Sequence, residues 1–243
     1  MRSSKEWKTW GRVDPLWAVA SWPGKEAGAA SAWTRDEFVA LGASDFQDIA
    51  VHWRHFGTQQ GTCVEIGCGA GRITLQLLTL FTRVAALDVS TDQIEVARQI
   101  LGPKAGAVTF HLVDGMAIPL PDSSCAGMFS SHVFQHFSSY TGIVCYLKET
   151  FRVLAPGGTA CFHVPVTGAH RSAPTSNIRL AIHNTVVTLR RLLGHRRMME
   201  YHRYSATRVF ESLRSIGFKR AELRIFDMTS NGDAHSFFFA QRP

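Results

Sequence analysis

The chain is predicted to fold as an α/β protein, a doubly wound and mostly parallel sheet with helices on both faces, on three observations. Short apolar runs and helical patterns alternate regularly from Thr62 to Val164, the mark of strand–helix–strand units covered on both sides. Gly67, Gly69 and Gly71 stand at alternate positions where the first strand gives way to a helical pattern. Glycines at such a turn let backbone come close to a bound group. Two β-type runs separated by Thr229-Ser230-Asn231-Gly232-Asp233 close the chain and read as an antiparallel hairpin at the sheet edge. Five parallel runs and this pair make a seven-stranded sheet.

In order, residues 1–33 read as an irregular arm with Trp7, Trp10, Trp17, Trp22 and Trp33. That aromatic density is foreign to a disordered tail, so the arm is expected to pack on the main body, its tryptophans serving as anchors rather than as pocket wall. Thr34-Arg35-Asp36-Glu37 is a capping box for a short helix, with Gly42 as its stop. Ser44 then caps a second helix, Asp45 to Phe56. These first 60 residues form an arm with cap helices, and residues 61–243 the main domain.

The strands of that domain are expected at Thr62–Ile66, Arg83–Leu87, Val108–Val113, Gly127–Ser131 and Thr159–Val164. Helices fall between them. One runs from about Ala70 to Thr82. A second is capped by a Ser90/Gln93 box and closed by Gly102-Pro103. A third carries Tyr140 to Phe151 and ends at Ala155-Pro156-Gly157-Gly158. Residues 165–203 interrupt the alternation with one strongly amphipathic helical pattern and are expected to form a helical lid. Helix Thr207–Ile216, stopped by Gly217, leads to strands Arg220–Phe226 and His235–Gln241.

Composition is that of an ordinary globular chain, 45% hydrophobic and 19% charged. No apolar run reaches the roughly 18 residues a membrane helix requires, and the N-terminus lacks a signal-peptide pattern. A cytoplasmic protein without a membrane span is expected. The five cysteines, Cys63, Cys68, Cys125, Cys145 and Cys161, include no CxxC pair, which argues against a disulfide framework or a cysteine zinc site. No metal ligand set is expected. Much of the +7 net charge lies in Arg190, Arg191, Arg196, Arg197, Arg203 and Arg208, at the spacing of a solvated helix face. No basic stripe interleaved with aromatics points to nucleic acid.

The glycine stretch narrows the ligand. A dinucleotide turn reads G-x-G-x-x-G, whereas here the pattern is G-x-G-x-G and Arg72 occupies the place of the third glycine. A P-loop lysine is also missing. Glu65 to Gly71 matches E/D-x-G-x-G-x-G, and the chain thereby resembles the Rossmann-like class I S-adenosylmethionine-dependent methyltransferases. Asp88 ending the second strand, Asp114-Gly115 ending the third, the run Arg152 to Gly158 before the fifth, and the terminal hairpin extend the resemblance over residues 61–243. The arm, Trp7-Lys8-Thr9-Trp10-Gly11-Arg12-Val13-Asp14-Pro15-Leu16-Trp17, together with Gln135-His136, is similar to a bacterial subgroup acting on saccharides and secondary metabolites.

That resemblance implies S-adenosyl-L-methionine as cofactor, with S-adenosyl-L-homocysteine as product. It places Glu65 at the methionine end, with Gly67, Cys68, Gly69 and Gly71 as the turn around it. Asp88, followed by Val89 and with Gln93 nearby, can accept both ribose hydroxyls. Asp114 can accept from the adenine amine, with Gly115 and Met116 against the ring. Ser131 or His132, just past the fourth strand, faces the methyl-transfer end. A hydroxyl acceptor benefits from a general base, for which histidine has the right range. His136 is the first candidate and His132 the second, with His163 and then Tyr201, His202 and Tyr204 as further residues near the substrate. The expected activity is methyl transfer to a small molecule, with a hydroxyl favoured. A small amine, an RNA or a protein acceptor remain alternatives, as do a non-catalytic cofactor binder and a nicotinamide oxidoreductase. The oligomeric state, monomer or homodimer, stays open.

Overall fold

The computed structural model describes residues 2–114, 116–137, 139–166, 201–227 and 234–243. Its helices are α1 (Arg2–Val13), α2 (Pro15–Val19), α3 (Arg35–Phe56), α4 (Thr74–Leu77), α5 (Thr91–Leu101), α6 (Tyr140–Val153) and α7 (Ala206–Ile216). Its strands are β1 (Thr62–Ile66), β2 (Arg83–Asp88), β3 (Val108–Leu112), β4 (Cys125–Ser130), β5 (Leu154–His163), β6 (Arg220–Asp227) and β7 (Ala234–Gln241). They form a seven-stranded sheet of order β3-β2-β1-β4-β5-β7-β6. The first five strands run parallel, and β7 pairs antiparallel with both β5 and β6. This is the expected architecture. Most of the expected lid, and the turn at 229–233, lie outside the described residues.

The strands read as near-continuous apolar runs because both sheet faces are covered. Val64, Met128, Phe162 and Phe238 pack with Ile143 and Leu147 of α6 and Leu213 of α7. On the opposite face Cys63, Phe129, Cys161, Phe237 and Phe239 pack with Phe46, Ile49 and Trp53 of α3 and Ala97 of α5. Phe237, Phe238 and Phe239 divide between the faces as the period of two requires. Four cysteines are therefore small core residues, and all five thiols are free.

Several elements differ from expectation, each for a physical reason. The arm is helical: α1 and α2 lie on α5, where Gln93 Nε2 donates to Pro15 O at 3.0 Å. Gln93 is thereby drawn out of the expected capping box, and only the Ser90 half, Oγ accepting from Gln93 N, is present. The capping box at Thr34 and Glu37 is complete, but Gly42 does not stop its helix. Helix α3 runs through, because Gly42 is a contact point. A Cβ there would stand 2.7 Å from the backbone oxygen of Arg72. The helix expected over 70–82 is reduced to α4, since Gly69 (φ 50°) and Gly71 (φ 83°) leave the right-handed helical region. Strand β5 begins early, at Leu154 opposite Cys125, and absorbs Pro156-Gly157-Gly158 as an irregularity where the register shifts. Arg152, the first residue of that run, donates to the carbonyls of Ile118 and Leu120 and pairs with Glu149, so it fastens the loop before β4.

Candidate active site

The strand order reverses between β1 and β4, so their C-terminal ends diverge and open a crevice, the ordinary ligand position in a doubly wound sheet. A cavity with about 920 Å³ of open space occupies it. It is lined by Ile66 at the end of β1 with Gly67 and Gly69 after it, and by Leu87 and Asp88 at the end of β2 with Val89 after them. The glycine turn is pinned by hydrogen bonds. The amides of Gly67 and Cys68 both donate to Leu87 O, at 2.8 and 3.0 Å. Asp88 then accepts from Gly69 N at 2.8 Å and from Ser90 N at 2.9 Å. Burial raises the Asp88 pKa from its usual value, against the pull of these amides. The carboxylate is thus held in one orientation at the cavity edge, with lone pairs left for a ligand.

The other wall follows β4. Ser131, His132, Val133, His136 and Phe137 line the cavity, with Val113 and Tyr146. His132 has a left-handed backbone (φ 59°), and its Nδ1 lies 2.7 Å from Ser131 Oγ. Burial first, then the neighbouring His235, Arg72 and His136, holds its pKa well below the usual value. Gln135 and His136 lie in a short 3₁₀ turn, their side-chain Nε2 atoms 3.1 Å apart.

Of the residues singled out from sequence, Gly67, Gly69, Asp88, Val89, Gln93, Ser131, His132 and His136 come together on this cavity. The others stand elsewhere. Glu65 is 3% exposed, off the cavity lining, and accepts from Thr74 Oγ1 at 2.6 Å. Burial raises its pKa to about 7. Cys68 joins the core under α3 and α5. Gly71 faces α5, where a Cβ would sit 3.0 Å from both Ala97 Cβ and Leu101 Cδ1. It serves helix packing. Asp114 is exposed and is not part of the lining, while Met116 packs towards Gly142. Gly115 lies outside the described residues. His163 is 1% exposed, behind the cavity wall and against His132. His202 N donates to Gln135 O at 2.8 Å and Tyr204 Oη to Phe137 O at 2.6 Å, so these two residues brace the His136 turn from outside the cavity.

Sequence reasoning passed over Trp7 and Val19, which the arm brings into the lining. Trp7 meets His136 edge-on, ring centroids 5.1 Å apart. Trp17 and Trp33 are anchors as expected, donating to Trp22 O and Ala20 O. The division of labour within the arm, pocket wall at Trp7 and anchors at Trp17 and Trp33, was not legible in the sequence.

Residues 64–162 match the family described as a methyltransferase domain. Among sequence relatives, the malonyl-[acyl-carrier protein] O-methyltransferase of Serratia marcescens is 32% identical over 158 residues, covering 63% of this chain and 54% of that protein. The O-methyltransferase cnsE of Penicillium expansum is 32% identical over 97 residues, covering 39% and 34%. The chain thus spans about a third to a half of the length of these relatives. Among solved structures, magnesium protoporphyrin IX methyltransferase of Synechocystis PCC 6803, with bound SAH, aligns over 99% of this chain and 98% of its own at 14% identity, TM-score 0.65. Phosphoethanolamine N-methyltransferase 2 of Haemonchus contortus aligns over 87% and 58% at 17% identity, TM-score 0.58. These neighbours share the fold.

Proposed function

We infer that this chain, which carries a class I S-adenosylmethionine-dependent methyltransferase domain, transfers the cofactor's methyl group to a hydroxyl of a small molecule. The observation that carries the reading is Asp88, fixed by two amides at the switch-point cavity, opposite a histidine-bearing wall.

The residues present fit the cofactor. Gly67 and Gly69 leave their part of the lining without side chains, and Gln93 Oε1, buried on the lining residue Gln93, has no partner among the described residues. Asp88 would take the ribose hydroxyls, with Gly67, Gly69, Val89, Gln93 and Ser131 around the group. Glu65, Cys68 and Gly71 would support the turn from behind. Asp114, Gly115 and Met116 are proposed for the adenine end.

When bound, the cofactor supplies a methyl group on a positively charged sulfur, a reactive donor with its leaving group built in. The protein's part is alignment, worth several kcal/mol, and handling of the acceptor proton. His136 is the proposed base. Gln135 Nε2, an amide nitrogen that can only donate, lies 3.1 Å from His136 Nε2, so that ring nitrogen is the acceptor in the pair and carries the lone pair. His132 shapes the wall beside it. Trp7, Phe137 and Tyr146 limit water around the reacting atoms.

Oxygen is favoured over nitrogen because the two sequence relatives named above are O-methyltransferases. The arm's likeness to a saccharide and secondary-metabolite subgroup supports those acceptor classes. Calorimetry with S-adenosylmethionine, S-adenosylhomocysteine and NAD tests the donor. Both adenosyl compounds are expected to bind, and binding of NAD alone would overturn the reading. A mass screen of saccharides and aromatic metabolites for the gain of one methyl group then tests the acceptor.

A further inference from the structure

Three histidines converge behind the transfer end of the cavity. His132 follows β4, His163 ends β5, and His235 lies near the start of β7. In the β5–β7 ladder His163 pairs with Phe237. His235, two residues along, therefore projects from the same face as the residue opposite His163. The ring centroids of the three stand 4.8 to 4.9 Å apart. One ring nitrogen from each lies within 4.8 Å of the others. His163 Nε2 and His235 Nδ1 are the closest, at 3.1 Å.

We propose that His132, His163 and His235 form a binding site for a divalent transition-metal ion of the zinc class, built into the cavity wall.

The ligand chemistry fits that class. Imidazole nitrogen suits zinc, cobalt, nickel and copper, whereas magnesium and calcium call for oxygen ligands. The cluster contains no carboxylate. A tetrahedral ion with nitrogens at about 2.0–2.1 Å separates its ligand atoms by roughly 3.3 Å, and the 3.1 Å between His163 and His235 is already near that value. The remaining adjustment falls on His132, the partly exposed member.

The surroundings prepare the rings as ligands. Ser131 Oγ beside His132 Nδ1 can accept that nitrogen's proton in a hydrogen bond, which leaves Nε2 with the free lone pair. His163 and His235 are 1% and 6% exposed. Without an ion, a single N–H···N bond can satisfy only one pair of the three facing nitrogens. An ion satisfies all three at once. His163 Nδ1, buried and unpartnered among the described residues, marks the outer side of the cluster where an ordered water would complete the second shell.

Three protein ligands leave a fourth position for water or an acceptor hydroxyl, the pattern of catalytic rather than closed structural zinc sites. His132 lines the cavity, so the site adjoins the acceptor compartment of the methyl-transfer reading, on which its functional role rests. There a bound hydroxyl would have its pKa lowered by the ion.

The test uses the full chain without a histidine tag, stripped with chelator and titrated with Co²⁺ and Zn²⁺. One equivalent of Co²⁺ should bind with the visible bands of a four-coordinate nitrogen site and be displaced by Zn²⁺. His163→Gln should weaken binding at least about 100-fold, since loss of outer-shell partners alone costs 10–100-fold. His132→Gly guards against misfolding, because glycine accepts the left-handed backbone there, and should weaken binding similarly. Failure of the parent chain to bind Co²⁺, or equal binding by both variants, overturns the site. S-adenosylhomocysteine calorimetry on the same metal-free samples reads the cofactor site separately. Metal binding without it would count against the methyl-transfer reading and leave the metal site standing.

Discussion

Asp88 and His136 divide the proposed chemistry at the level of single residues, one holding the donor and the other handling the acceptor proton. Asp88→Ala removes the anchor of the Gly69 amide together with the ribose acceptor, and should abolish cofactor binding by calorimetry while the chain stays folded. His136→Ala should slow turnover about 100-fold or more with cofactor affinity nearly intact. Near-normal turnover would remove His136 as base. Glu65 has a different consequence. Burial first, then the charge of Asp88, raises its pKa from 4.5 to about 7, against the Thr74 hydrogen bond and the charge of Arg72. The folded state therefore keeps the Glu65 proton up to about pH 7, whereas the unfolded chain releases it near 4.5. Stability should fall as pH rises between those values, by on the order of 3 kcal/mol. Glu65→Gln should flatten that part of the denaturation profile, and an unchanged slope would show that another group is responsible. The acid before the glycines was plain in the sequence. That it turns away from the cavity was not, because the direction of one side chain depends on what packs against the strand.

At the scale of elements, the join between α3 and the glycine turn matters most. Arg72 and Asp45 form an ion pair with both side chains at or below 5% exposure, and Gly42 lets the Arg72 backbone touch the helix. Breaking one partner of a buried pair leaves an uncompensated charge. Asp45→Ala should destabilise the fold by about 3–5 kcal/mol in urea unfolding, and Asp45→Ala with Arg72→Met should recover part of the loss. A loss under about 1 kcal/mol would mean that the pair is solvated. The strands, the Thr34 cap and the hairpin were legible because period-two patterning and capping chemistry are local. Gly42 and Arg72 were not. Gly42 reads locally as a stop, and its real constraint is the carbonyl of a residue thirty positions away.

For the whole molecule, the cavity is completed only when the arm returns. Trp7 and Val19 reach the lining from α1 and α2, which ride on α5. Trp7→Ala should raise the acceptor KM roughly tenfold, about one aromatic contact, with cofactor affinity and thermal midpoint little changed. A rise in cofactor Kd instead would place Trp7 at the donor end. Among the described residues no helix is long and apolar enough to cross a membrane. Residue order was enough to specify the sheet, its reversed final pair, the glycine turn and the acid ending β2, because hydrophobic periodicity and glycine's backbone freedom act between near neighbours. Folding in three dimensions alone decided that Gly71 serves packing, that Trp7 meets His136, and that His132, His163 and His235 converge in one cluster. Those contacts join residues from about 30 to about 130 positions apart, and only the strand order and the docking of the arm bring them within reach.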